Sequence, residues 1–173
     1  YRAKAGTETT YKAVGSSAGI KMLMDRQVDF GASDAYLSDD EMNMFPSPVL
    51  QFPTCLGAVE ITYNLPGNPE LKLTPEIISG VFLGKITNWN DPKIKAENPG
   101  VTLPDEKITV VHRADGSGTS FILSDYLSKI SPEWKAKVGI SKTPNWPLGI
   151  SGTGNEGVAS TVKLTPGAFG YVE

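Results

Sequence analysis

Twice in this chain a strand-like run stops at a loop of glycines and hydroxyl side chains that opens directly into apolar residues at helical spacing, and few folds accommodate that pattern. The first instance is Thr9-Thr10-Tyr11-Lys12-Ala13-Val14, then Gly15-Ser16-Ser17, then Ile20, Leu23, Met24 and Val28. Ser16 or Ser17 stands where a helix N-cap belongs. The second is clearer: Lys107-Ile108-Thr109-Val110-Val111 leads through His112-Arg113-Ala114-Asp115-Gly116-Ser117-Gly118-Thr119-Ser120 into Phe121, Leu123, Tyr126, Leu127 and Ile130. Strands alternating with helices imply an α/β fold with a parallel or mixed sheet, in which such loops gather beyond the carboxyl ends of the strands.

Other segments fit the same plan. Val28-Asp29-Phe30-Gly31-Ala32-Ser33 reads as a short buried strand that delivers Asp34 at its end, and residues 56–64 read as a strand stopped by the turn formers Leu65-Pro66-Gly67-Asn68-Pro69. A domain boundary is placed near residue 60, giving 1–60 as part of a first α/β domain and 61–173 as a second. Thr74-Pro75-Glu76 is a helix start with Ile77, Ile78, Val81 and Phe82 as its apolar face. Residues 84–104 read as mostly turns, and a third glycine-rich stretch, Gly149 to Gly157 in sequence, precedes a short helix from Val158 to Val162.

Sixteen basic residues against nineteen acidic ones give a net charge of -3, so no global basic field draws the protein to nucleic acid, and any anion site must be built locally. Cys55 is the single cysteine and His112 the single histidine, which leaves no intramolecular disulfide and no multi-cysteine or multi-histidine metal site; neither metal nor cofactor is expected. No apolar run approaches the roughly 20 residues of a membrane span. The chain opens at Tyr1-Arg2-Ala3-Lys4 without an initiator Met or a charged-then-apolar leader, the expectation for a processed chain or an excised piece.

The loops carry the chemistry. Gly15-Ser16-Ser17-Ala18-Gly19 offers a hydroxyl and free amides; residues 113–119 offer a permanently charged fork, hydroxyls, and glycines that let backbone approach a ligand closely. A cation placed after an apolar strand and before a helix N-terminus calls for something negative between them, and Asp115 can be that partner, holding Arg113 in place. Asp34 is an acceptor. A carboxylate repels a fully ionised anion but accepts a hydrogen bond from one that keeps a proton, so an acceptor here favours hydrogen phosphate over sulfate. The plainer alternatives are a turn with a cap for the glycine-serine loops and a turn cap for Asp34.

Two motifs suggest other functions. Gly15-Ser16-Ser17-Ala18-Gly19 fits G-x-S-x-G, and Ser17, an aspartate and His112 follow in the order of a hydrolase triad. Gly152-Thr153-Gly154-Asn155-Glu156-Gly157 fits G-x-G-x-x-G, but Trp146-Pro147-Leu148 is a poor strand to precede it and no acidic residue follows at about 20 positions.

With Val14-Gly15-Ser16-Ser17, the segment 28–35, Gln51-Phe52-Pro53-Thr54, Phe82-Leu83-Gly84-Lys85-Ile86, the segment 113–120 and Pro166-Gly167-Ala168-Phe169-Gly170-Tyr171-Val172-Glu173 in one order, the chain closely resembles the phosphate-binding proteins of bacterial phosphate ABC transporters. The resemblance implies a two-domain periplasmic-binding-protein-like fold with mixed, mainly parallel sheets, flanking helices and an interdomain phosphate cleft. It implies phosphate contacts from Ser16, Asp34, Arg113, Ser117, Gly118 and Thr119, the last glycine through its amide, with Asp115 orienting Arg113 and Ser17 beside the ligand loop. It implies a monomeric, non-enzymatic receptor, periplasmic or anchored at the outer face of the cell membrane, that serves a membrane permease. The family's opening glycine-alanine loop ending in Thr-Phe has no counterpart in residues 1–10, so the chain is expected to be a central piece with its first domain incomplete. Tyr36, Ala18 and His112 stand where the family usually has proline, glycine and arginine.

Overall fold

The computed structural model describes residues 2–173; the chain's opening at Tyr1 lies outside the described residues. In chain order the elements are α1 (Arg2–Ala5), α2 (Ser16–Met24), α3 (Asp39–Asn43), β1 (Glu60–Tyr63), α4 (Pro75–Phe82), α5 (Pro92–Glu97), β2 (Thr109–Arg113), α6 (Gly118–Ile130), α7 (Pro132–Lys137), β3 (Ile150–Gly152), α8 (Gly154–Leu164) and β4 (Ala168–Val172).

The four strands form one sheet in the order β1-β4-β2-β3. β2 runs parallel to both β3 and β4, while β1 is antiparallel to β4, with Glu60 opposite Val172 and Tyr63 opposite Phe169. Because side chains alternate across a strand, the two central strands feed both faces of the sheet. Val110, Phe169 and Tyr171 join a core with Ile77, Val81 and Phe82 of α4, Leu123 and Leu127 of α6, and Trp89 and Trp134. Val111 and Ala168 point the other way and pack with Val158 and Val162 of α8. Gly170 has no side chain for a reason: a Cβ there would stand 2.8 Å from Val162 Cγ2 and hold α8 off the sheet. Both faces are thus covered, as a largely parallel sheet requires.

Local chemistry explains most helix starts. Thr74 and Ser117 accept from the third amide along at α4 and α6, and α5 and α7 begin with Asp91 and Ser131 caps followed by proline. No helix among the described residues is long and apolar enough to cross a membrane.

Several expectations are corrected. Residues 9–14 and 28–33 are not strands: neither finds a ladder partner, and residues 9–14 are exposed throughout. The N-cap of α2 is Gly15 at φ 81°, with no side-chain cap bond, so neither Ser16 nor Ser17 caps it. The strand expected over 56–64 shortens to β1, since Leu56 is fully exposed. Residues 84–104 contain α5, and the final helix starts at Gly154 rather than Val158.

Candidate functional site

Parallel pairing of β2 with β3 and β4 brings the ends of three strands to one edge of the sheet. There β2 ends on Arg113, β3 on Gly152 just ahead of α8, and β4 runs into Glu173. The N-termini of α6 and α8 open at the same edge and contribute their positive dipole ends. A cleft of about 1480 Å³ lies over this edge; its walls include Gly15, Ser16, Asp34, Arg113, Asp115, Gly118, Thr119, Asn155 and Glu173.

Arg113 is built in from every side. Its amide donates to the Tyr171 hydroxyl at 3.1 Å, and that hydroxyl pairs with Ser120 Oγ at 2.6 Å. Its fork meets Asp115 twice, Nε to Oδ1 at 2.8 Å and Nη2 to Oδ2 at 2.5 Å, and Nη1 donates to Asn155 Oδ1 at 3.0 Å and to Thr119 Oγ1 at 3.5 Å. The Arg113 side chain is 5% exposed. Asp115 is held in turn by the Gly154 amide at 2.9 Å.

The opposite wall comes from the first third of the chain. Ser16 Oγ accepts from the Gly118 amide at 3.0 Å. Gly15 has two reasons to be glycine, its positive φ and a site for Cβ only 2.7 Å from Asp115 Oδ2. Asp34 is presented by a short turn in which Ser33 Oγ both accepts from the Ala35 amide, at 3.2 Å, and donates to the Ala35 carbonyl, at 2.7 Å; Ala35 itself is buried. Its carboxylate comes so near Gly118 that a Cβ on Gly118 would stand 2.5 Å from Asp34 Oδ2.

The electrostatics follow from these contacts. The Arg113 hydrogen bonds hold the Asp115 carboxyl down at about 2, against an ordinary 3.8, so it is ionised under all ordinary conditions. Asp115 raises Arg113 in return. Burial, and then the charge of Asp34, push the Glu173 carboxyl up. Burial also raises Tyr171, which keeps its proton and donates to Ser120 or accepts from Arg113 as a neutral group.

Of the residues singled out from sequence, Ser16, Asp34, Arg113, Gly118, Thr119 and Asp115 share the cleft. Ser117 does not line it: fully buried, it donates its amide to Lys142 O at 2.9 Å and caps α6 through its hydroxyl, which accepts from the Ser120 amide at 3.2 Å. Ser17 faces a second, smaller cavity of about 440 Å³ with Tyr36, Glu41, Phe121 and Lys142, where Lys142 pairs with Glu41 and the Tyr36 ring meets Phe121 edge-on at 5.5 Å. His112 is occupied elsewhere, stacked on Trp146 at 5.1 Å with Nδ1 against the Arg113 carbonyl, and does not meet Ser17 as a hydrolase triad needs. The described residues hold no group of three or more metal-ligating side chains.

Asn155, Tyr171 and Glu173 were not singled out as site residues. The signal for Asn155 was present in the third glycine-rich loop, whose strand, β3, lies inside the motif rather than at residues 146–148.

Comparison with known proteins shows the family and the fold. The sequence profile of the PBP superfamily domain matches residues 1–173. A phosphate-binding protein PstS of Xylella fastidiosa is 46% identical over 177 residues, covering 100% of this chain and 48% of that protein. A phosphate-binding protein PstS of Methanocaldococcus jannaschii is 43% identical over 94% of this chain and 45% of its own length. The chain therefore spans about half the length of these relatives. Among solved structures, a phosphate-bound periplasmic phosphate-binding protein superposes with a TM-score of 0.76 at 21% identity, over 95% of this chain and 49% of that one. A phosphate-binding protein from Stenotrophomonas maltophilia gives 0.70 at 23%, over 99% and 57%. With its whole length matched, the chain belongs to the PBP superfamily.

Proposed function

We propose that the chain is the anion-capturing part of a receptor that binds inorganic phosphate between two domains and delivers it to the membrane permease of a phosphate ABC transporter. The observation that carries this reading is the meeting, in one cleft, of a buried guanidinium fixed by Asp115 with the acceptor Asp34 and with donors on Ser16, Gly118 and Thr119. Arg113 supplies attraction for an oxyanion, and the helix N-termini of α6 and α8 add to it. The acidic side chains around the cleft, Glu8, Asp29, Asp34, Asp115, Glu156 and Glu173, outnumber its cations, Lys12 and Arg113. A fully ionised divalent anion is repelled by such a wall, whereas hydrogen phosphate turns one carboxylate into a hydrogen-bond acceptor.

The relatives' names support phosphate as the ligand, and the reading makes the protein a binding protein rather than an enzyme, monomeric, without a cofactor or nucleic-acid partner. It also makes the protein periplasmic or anchored at the outer face of the cell membrane. Residues 1–60 are read as part of one domain and 61–173 as the other, supported by the sheet and both core clusters lying between Val59 and Val172.

Isothermal titration tests the reading. One site preferring phosphate to sulfate is expected, and Asp34→Asn narrows that preference because an amide can donate to sulfate. Equal affinity of the unsubstituted protein for the two anions sinks the selectivity argument.

A further inference from the structure

Lys142, in the segment between α7 and β3, pairs through Nζ with Glu41 of α3, and neither residue lines the anion cleft. The pair therefore joins residues 1–60 to the part of the chain that carries the sheet. Both of its ends are fixed. The Lys142 carbonyl accepts from the Ser117 amide at 2.9 Å, next to Gly118 and Thr119 of the anion loop. Glu41 Oε2 accepts from the Ser38 amide at 2.9 Å in the capping box of α3, while Oε1 takes the lysine. The Lys142 side chain is 14% exposed, whereas Lys21 and Lys129, which pair with Asp25 and Asp125 along single helices, are 75% and 70% exposed. A long cationic side chain is thus drawn in from water to reach a carboxylate 101 positions away.

The same two parts of the chain meet close by. The Ser17 amide donates to the Gly116 carbonyl at 3.1 Å, Ser16 Oγ accepts from the Gly118 amide at 3.0 Å, and the Tyr36 ring meets Phe121 edge-on at 5.5 Å. These contacts fall on residues 116–121, the anion loop and the first turn of α6. Lys142 fastens the same loop through Ser117 and reaches across to Glu41 with its side chain.

On the reading of the cleft as a phosphate site, we propose that Glu41 and Lys142 are positioning residues, whose ion pair holds the two walls of the cleft together over a bound anion and sets how slowly that anion leaves. Any motion that parts the walls separates Glu41 from Lys142, so the pair stabilises the joined arrangement alone. Neither residue touches the cleft, so loss of the pair leaves the anion's own partners in place and acts on the walls. A fully exposed pair contributes little, but removing one partner here strands the other in a part-shielded place. Glu41→Gln keeps an oxygen for the Ser38 amide and turns an N–H toward the ammonium. Lys142→Met keeps the apolar stem, and the bond from the Ser117 amide to the residue 142 carbonyl does not depend on the side chain.

The test is the release of radiolabelled phosphate into an excess of unlabelled phosphate, with calorimetric affinities, on the unsubstituted protein, Glu41→Gln, Lys142→Met and the double variant. Release is expected to be about tenfold faster in each single variant and no faster in the double, because all three lack the same pair. The association rate, obtained from release rate and affinity together, is expected to stay within about twofold of the unsubstituted protein. Unchanged release in both single variants, weakened affinity that comes from slower association, or single effects that multiply to about a hundredfold in the double each overturns this inference and leaves the phosphate reading standing. An unsubstituted protein that takes up no phosphate overturns the phosphate reading and this inference with it.

Discussion

Replacing Asp115 by asparagine removes a charge from the polar cluster around Arg113 while keeping its shape. Asp115 accepts from Arg113 Nε at 2.8 Å, from Arg113 Nη2 at 2.5 Å and from the Gly154 amide at 2.9 Å. Lowering its carboxyl from 3.8 to about 2 corresponds to roughly 2.4 kcal/mol at 1.36 kcal/mol per pH unit. The Asp115 side chain is 23% exposed, and screening by water brings this to about 1–2 kcal/mol. The sign follows from the lowered carboxyl. Its contribution is complete above the unfolded value near 3.8 and is lost as pH falls through about 2. Urea unfolding at pH 7 is therefore expected to find Asp115→Asn less stable by about 1–2 kcal/mol, which for a chain of this size is a melting-temperature loss of about 2–8 °C. At pH 3 the deficit shrinks to about half, because the wild-type protein is by then losing the same interaction. An equal deficit at both pH values refutes the argument, since it places the cost in packing and not in the carboxylate's charge.

Gly118→Ala is expected to abolish phosphate binding in titration with little change in far-ultraviolet circular dichroism, because its Cβ would stand 2.5 Å from both Asp34 Oδ2 and Ser16 Oγ and drive the two walls of the cleft apart. Trp89→Ala is expected to lower unfolding free energy in urea by about 3–5 kcal/mol; the indole is fully buried between Tyr63 and Phe169 and donates Nε1–H to the Gly167 carbonyl at 2.9 Å.

The parts of the fold legible in sequence are those whose signals are local. The β2 strand, the Ser117 cap and the apolar face of α6 lie within one run of residues, and the Thr74-Pro75 start of α4 is as plain. Strands 9–14 and 28–33 were misread because a strand is completed by its neighbour, and composition does not say whether a neighbour exists. The five-residue helix α3, to which the sequence reading assigned no element, carries its own signal: Ser38 and Glu41 form a capping box, the S-x-x-E pattern. α5 and α7 are too short for periodicity but carry cap-then-proline starts that could have located them.

At the site, Arg113 and its partner Asp115 are two residues apart and were readable together. Asn155 and Glu173 lie 42 and 60 positions from Arg113 and reach it only through the parallel register of β2 with β3 and β4, which no spacing encodes. Ser117 stands apart from these residues: its hydroxyl oxygen accepts from the Ser120 amide and caps α6, which leaves its O–H free to donate, and the side chain is outside the cleft lining.

The central claim is that a tetrahedral oxyanion sits against Arg113 in this cleft. A crystal structure of the protein grown with phosphate in excess tests it most directly. The account predicts tetrahedral electron density in contact with the Arg113 guanidinium, the Thr119 and Ser16 hydroxyls and the Asp34 carboxylate, and no such density after Arg113→Ala. Phosphate bound away from Arg113, or a cleft left to water alone at saturating phosphate, contradicts it.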